Sequence, residues 1–227
     1  MSGRKHRVNQ SYFKKWSHNM SYILGLWFAD GCISRGKNIF DISLHKDDEY
    51  LLRDILKEMD STYPIFYDKN VARFQLSCKK IYEDVVLLGG KDKKSLDAKF
   101  PIVPVDFIPD FIRGYFDGDG SIFLDKSRNR YASSFSCGSK VFIDGVHEVL
   151  SDSIPSFGGY VRERRQSPST KVNGFKLKKD SVWYELSLKY GDTEKLGDFM
   201  YSVDVGLRMH RKHDRFLDGK SKSKKNK

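Results

Sequence analysis

The sequence has no apolar run long enough to cross a membrane. Its most hydrophobic stretch, Tyr22 to Ala29, is broken by Gly25 and falls far short of the roughly 20 residues that a span needs. The N-terminal stretch MSGRKHRVNQSYFKKW is basic but has no apolar core, so it does not read as a secretory signal. Cysteine is scarce: Cys32, Cys78 and Cys137 are odd in number and far apart, which fits neither a disulfide framework nor a zinc site. A reducing, intracellular setting is therefore the expectation. What remains is a 227-residue chain, 39% hydrophobic and 31% charged, a globular composition with room for one large or two small domains.

The formal charge of +11 is unevenly placed. Residues 1–15 carry +5, residues 208–227 carry +7, and the body from 16 to 207 sums to −1. Basic ends on a near-neutral body suggest a polyanionic partner.

The body repeats. Tyr22-Ile-Leu-Gly-Leu-Trp-Phe-Ala-Asp-Gly-Cys-Ile33 returns as Phe111-Ile-Arg-Gly-Tyr-Phe-Asp-Gly-Asp-Gly-Ser-Ile122 at an offset of 89 residues, each an apolar helix ending in Asp-Gly. Gln75-Leu-Ser-Cys-Lys79 then matches Glu185-Leu-Ser-Leu-Lys189, with about 21 more residues between the landmarks in the second copy. Period-two alternation in Phe40–His45 and Arg73–Ser77 marks strands with one polar face. Helical periodicity marks Glu49–Leu56 and Ile81–Leu88, the latter ending at Gly89-Gly90. Each copy reads α-β-β-α-β-β-α, an α+β unit with helices on one sheet face and the other face open. The expected organisation is a basic arm (1–20), a first half (21–90), a linker holding Pro101 and Pro104 (91–106), a second half (107–217) and a disordered basic tail (218–227).

These paired motifs resemble those of the single-chain LAGLIDADG homing endonucleases. The similarity extends over nearly the whole chain, including Lys94-Ser-Leu, Phe100-Pro and Arg211-Lys212; Phe28 and Arg113 depart from the family pattern. The resemblance implies two pseudo-symmetric αββαββα units with saddle-shaped antiparallel sheets and the motif helices at their interface. It also implies a monomeric site-specific endonuclease that cuts both strands of double-stranded DNA and leaves short 3′ overhangs. Two alternatives remain: an RNA maturase that binds intron RNA, and a non-catalytic DNA-binding protein.

The residues themselves support metal chemistry. Gly25 and Gly114 sit in bulky helices where glycine costs about 1 kcal/mol against alanine, which a close helix approach would offset. Such packing brings Asp30 and Asp119 together at the negative ends of two helix dipoles, where a divalent cation relieves both repulsion and dipole. Mg²⁺ is the expected ion, and the resemblance implies that Mn²⁺ can substitute and that Ca²⁺ binds without cleavage. Alignment on the terminal glycine selects Asp119 rather than Asp117. A calcium loop starting at Asp117 fails, because Ile122 and Arg128 stand where Gly and Glu are required. Lys79 and Lys189, at the ends of the matched strands, and Lys46 are the candidate lysines for positioning water and offsetting phosphate charge.

The open faces supply candidate DNA readers: Arg35, Lys37, Asp41, Ser43, His45, Arg73 and Gln75 in the first half; Arg128, Arg130, Ser134, Arg162, Arg164, Lys176, Lys178 and Glu185 in the second. Their types suit base edges in the major groove. The extra length of the second half, Gly158–Trp183, is expected to form an extended basic hairpin.

Overall fold

A computed structural model describes residues 6–34, 36–92, 96–167, 171–172, 175–176, 180–202 and 206–225, leaving aside the side chains of 171–172, 175–176 and 223–225. Both copies show the expected element order. The first consists of α1 (His18–Asp30), β1 (Gly31–Ser34), β2 (Ile39–His45), α2 (Glu49–Glu58), β3 (Ile65–Asp68), β4 (Val71–Ser77) and α3 (Lys79–Leu87). The second consists of α4 (Ile108–Asp119), β5 (Gly120–Asp125), β6 (Arg130–Cys137), α5 (Lys140–Ser153), β7 (Tyr160–Gln166), β8 (Lys171–Val172), β9 (Phe175–Lys176), β10 (Ser181–Leu188), α6 (Tyr190–Met200) and α7 (His210–Lys225). Each half carries a four-stranded sheet, ordered β1-β2-β4-β3 and β5-β6-β10-β7, with every pairing antiparallel. β8 and β9 form a small hairpin between β7 and β10, which accommodates extra length in the second copy.

The alternation reaches the packing directly. Phe40, Ile42 and Leu44 of β2 and Ala72, Phe74 and Leu76 of β4 are buried, facing Leu51, Leu52 and Ile55 of α2 and Ile81 and Val85 of α3 in one apolar cluster. Each such side chain contributes roughly 1.5–3 kcal/mol through burial. α1 opens where Ser17 accepts a hydrogen bond from the Met20 amide, and α4 opens with a proline in its first turn. Between Met20 and Phe28 every residue of α1 is buried, because the helix is covered on all sides.

The two motif helices cross at their glycines. A Cβ on Gly25 would lie 2.1 Å from the Phe111 carbonyl oxygen, and one on Gly114 would lie 2.0 Å from the Tyr22 carbonyl oxygen. At the offset of 89, Tyr22 and Phe111 are equivalent, as are Gly25 and Gly114, so the contact is reciprocal as a pseudo-twofold axis requires. Only glycine permits this approach.

Three segments differ from the expectation. The N-terminal arm is partly built into the first half: Tyr12 and Phe13 are buried and the Asn9 amide donates to the Met59 carbonyl at 2.9 Å. The interdomain segment packs too, since the Ser139 hydroxyl donates to the Ala98 carbonyl at 2.7 Å and Phe100 lies against Phe111 and Phe142. Finally, α7 continues to Lys225 where disorder was expected from 218, because its first turns are anchored by the buried Met209, Lys212 and Phe216.

Candidate active site and nucleic-acid interface

The pseudo-twofold axis continues from the crossing glycines to the C-terminal ends of α1 and α4. There Ala29 and Gly118, again equivalent positions, face each other: a Cβ on Gly118 would lie 2.3 Å from the Ala29 Cβ and 2.9 Å from the Asp30 Oδ2. The Asp30 carboxylate thus sits against the residue next to Asp119, and the structure brings the two candidate acids to one place. Their fields reach the same neighbours. The Tyr115 hydroxyl is held well above its ordinary pKa, first by burial, then by Cys137 and by both Asp119 and Asp30. Asp119 is exposed and Asp30 half-buried, so a ligand can approach from the open side.

Directly beneath lies an ammonium group. Lys212 of α7 is buried and its Nζ donates to the carbonyls of Phe116 (2.8 Å), Asp117 (2.7 Å), Gly118 (3.2 Å) and Gly120 (2.6 Å). Burial pushes its pKa down to about 8, against the opposing pull of Asp117, Asp30 and Asp119.

Asp117 has a different job from Asp119. It is fully buried, and its Oδ2 accepts from the Tyr22 hydroxyl at 2.6 Å and the Met209 amide at 2.7 Å. Burial raises its pKa to about 6, although Tyr22, Lys212, Met209 and Arg113 all act to lower it. It ties α1, α4 and the start of α7 together. Arg113 is equally buried: it donates to the Met200 carbonyl (2.7 Å), the Leu207 carbonyl (3.2 Å) and Asp110 (2.7 Å). α7 also reaches the first half, where Arg211 makes a forked pair with Asp48 (2.9–3.1 Å).

The three candidate lysines lie just past strand ends. β4 ends at Ser77, so Lys79 is the first residue of α3 and pairs with Glu83 at 3.6 Å. Lys189 lies beyond β10 as the exposed N-cap of α6. Lys46, itself exposed, starts a single turn after β2. Alternation was carried past the strand ends, where the backbone had already turned helical.

Comparison with known proteins completes the description. Residues 106–172 match the family model described as a LAGLIDADG-like domain. The homing endonuclease I-AabMI bound to uncleaved DNA superposes with a TM-score of 0.57 at 13% identity, covering 90% of this chain and 91% of that one. Mesophilic variants of the homing endonuclease I-DmoI give 0.53 at 16% identity, covering 88% and 96%. This chain has the LAGLIDADG fold. WhiA from Thermatoga maritima also matches, with a TM-score of 0.51 at 13% identity over 93% of this chain and 65% of that one. Among curated sequences, a probable translation initiation factor IF-2 of Methanocaldococcus jannaschii is 31% identical over 138 residues, 57% of this chain. A DNA-directed RNA polymerase subunit Rpo1C of the same organism is 26% identical over 144 residues, 60% of this chain. These matches span only 11% and 16% of those two proteins.

The LAGLIDADG sheets carry most of the candidate readers on their open faces. In the first sheet Asp41 pairs in register with Gln75 and Ser43 with Arg73, and His45 follows on the same face. Asp41 is nearly buried and accepts from the Ser43 hydroxyl at 3.1 Å. Lys37 lies in the β1–β2 turn. In the second sheet Ser134 sits opposite Ser121 and Ser187, and Arg162 opposite Glu185. Here the arginines are already engaged. Glu185 accepts from Arg162 (2.5 and 3.0 Å), Arg164 (3.3 Å) and the Ser187 hydroxyl (2.5 Å). Despite the opposing effect of burial, these bonds hold the Glu185 carboxyl below its ordinary pKa. Arg128 pairs with Asp125 at 3.2 Å and Arg130 with Glu194 at 3.2 Å. Arg35, Lys178 and the Lys176 side chain lie outside the described residues. Phe66 and Phe123, both half-exposed, also occupy outward positions, opposite Arg73 and Ala132.

Lys212, Asp117 and Arg113 therefore organise the site without having been chosen for it. The readable sign was position: Met209, Lys212 and Phe216 share a helical face, which puts a lysine in an apolar stripe.

Proposed function

We propose that this chain is a divalent-metal-dependent, site-specific double-strand DNA endonuclease, with Asp30 and Asp119 as the acidic centre and the two open sheet faces as the reading surface. The observation that carries this reading is the juxtaposition of the Asp30 carboxylate with Gly118–Asp119 on the axis relating the halves. Two converging carboxylates at helix C-termini suit Mg²⁺ or Mn²⁺, which take one or two protein carboxylates and fill their remaining positions with phosphate oxygens and water. Among the described residues no larger cluster of His, Cys, Asp and Glu competes for the ion. Bound there, the metal would supply an activated water and stabilisation of the departing oxygen.

The protein's own groups perform the rest. Asp30 and Asp119 hold negative charge where a duplex phosphate must come, so a backbone approaching without a cation is repelled. The sheets fix register through groove contacts, and two sheets side by side fit a nonpalindromic site of roughly two helical turns read by one monomer. The expected products carry short 3′ overhangs. Two otherwise differently named relatives share a block of this sequence over a small part of their length, which supports a mobile element inserted into host genes.

The test is cleavage of a randomised plasmid library with Mg²⁺, beside Asp30→Asn and Asp119→Asn. Wild-type cleavage, lost in each variant while DNA binding persists, is expected. Cleavage surviving in both variants would overturn the assignment. Specific duplex binding without cleavage would favour the non-catalytic reading, for which the WhiA likeness in fold speaks, and tight binding to intron RNA instead would favour a maturase.

A further inference from the structure

The open face of the first sheet carries apolar side chains beside its arginine. In β4 the buried Ala72, Phe74 and Leu76 turn Val71, Arg73 and Gln75 to the opposite face, because successive strand residues alternate. Ser43 of β2 lies opposite Arg73, and Arg73 lies opposite Phe66 of β3, so a hydroxyl, a guanidinium and a phenyl ring form one row across three strands. Val71 is two residues from Arg73 on the same face and diagonal to Phe66, a separation of about 7–8 Å that an aromatic ring can bridge. The ring is 48% exposed and Val71 41%. Packing does not account for the phenylalanine, since its neighbour Ile65 is the β3 residue that lies against the core. A single apolar side chain on a surface is common; here two flank an arginine on a face otherwise suited to base edges. The major groove of B-DNA offers hydrogen-bond donors and acceptors and one apolar group, the 5-methyl of thymine.

We propose that Phe66, with Val71 beside it, is a specificity-determining residue that reads the 5-methyl group of a thymine in the major groove, next to the base that Arg73 engages. The proposal rests on the endonuclease reading above and deepens it. Hydrogen-bonding side chains distinguish thymine by its O4 acceptor, whereas an apolar contact distinguishes it by its methyl. Closing the ring over that methyl removes apolar surface of both partners from water. Phe66 is on the reading face and takes no part in the hydrolytic step.

The experiment uses the full chain and the duplex that it selects, by binding, from a randomised library. Each thymine of that duplex is replaced in turn by deoxyuridine, which removes the methyl group alone. In equilibrium competition without Mg²⁺, one such replacement is expected to weaken wild-type binding about fourfold, the worth of one buried methyl. The same replacement should cost Phe66→Ser nothing, while replacements elsewhere cost both proteins alike. Phe66→Leu, still apolar, should keep part of the sensitivity, a rescue that a merely structural role would not produce. Equal weakening of every duplex by Phe66→Ser, or a selected site with no thymine whose methyl effect depends on Phe66, overturns the proposal and leaves the endonuclease reading standing. Sedimentation showing a dimer that Phe66→Ser dissociates would assign the face to a second copy of this chain and overturn it as well. Site selection without cleavage overturns only the endonuclease reading, and the methyl comparison then still decides the role of Phe66; a wild type that selects no duplex overturns both.

Discussion

The two halves share a backbone plan but differ in how their charges are arranged. On the second sheet the arginines proposed as readers are held by Asp125, Glu185 and Glu194, whereas among the described residues Arg73 of the first sheet has no such carboxylate. A paired arginine gives up an ion pair to meet a phosphate or base, but it is pre-oriented; an unpaired one spends rotamer entropy instead. The second half should therefore contribute more to discrimination and the first more to general attraction. The helices at the axis show the opposite pattern, with reciprocal glycine contacts of almost identical depth. Symmetry is kept where backbones touch and abandoned where ligands differ.

The sharpest way to break that comparison is to disturb the symmetric part. Gly25→Ala and Gly114→Ala each place a methyl about 2 Å from a carbonyl oxygen and should each cost about 3 kcal/mol or more. Urea unfolding checks this, and a large inequality between the two would show that the crossing is not pseudo-twofold in energy. Next comes the bridge between the halves. Arg211→Ala leaves the Asp48 carboxylate, 4% exposed, without its forked partner and should cost roughly 2 kcal/mol; a loss below a few tenths would mean that α7 is held by its apolar face alone.

Asp117→Asn tests whether the two acids of the second motif are distinct. Its folded pKa, raised to about 6, means that wild type is favoured below the unfolded value near 4 and loses that contribution as pH rises through about 6. The asparagine variant should gain on the order of 1–2 kcal/mol relative to wild type between pH 4 and 7, with cleavage retained, as measured by melts across that range beside a cutting assay. A variant that folds but no longer cuts would move Asp117 into the chemistry. The smallest expected effect is that of Glu185→Gln, which releases Arg162 and Arg164. Nonspecific DNA affinity and its salt slope should rise slightly while discrimination against mismatched sites falls a fewfold, seen in competition titrations at two salt concentrations.

Much of this was legible in the sequence. Strict alternation at Phe40–Leu44 identified β2 because one face had to be apolar. Gly25 and Gly114 among bulky neighbours announced a close crossing, and the shared offset paired Asp119 with Asp30 as equivalent positions. The placing of Lys79 at the end of its strand was misread for a definite reason. Gln75, Ser77 and Lys79 continue an alternation on paper, but Ile81 and Val85 already require a helix, and Lys79 with Glu83 is its first i,i+4 pair. Lys212 stood in a strongly basic segment just before the expected tail, singled out only as part of Arg211-Lys212. Only its spacing from Met209 and Phe216 set it apart from the lysines that follow.

The position of α7 in the chain has a consequence for how the protein is made. Domains near the N-terminus of a growing chain begin to fold first, so both motif helices and both sheets emerge before Met209, Arg211 and Lys212. Until those residues arrive, the Asp117 carboxylate lacks its amide partner and the end of α4 lacks its ammonium. A nascent or prematurely terminated chain would display a reading surface with an unfinished acidic centre. If the acidic centre cuts DNA as proposed, its assembly waits for the synthesis of α7.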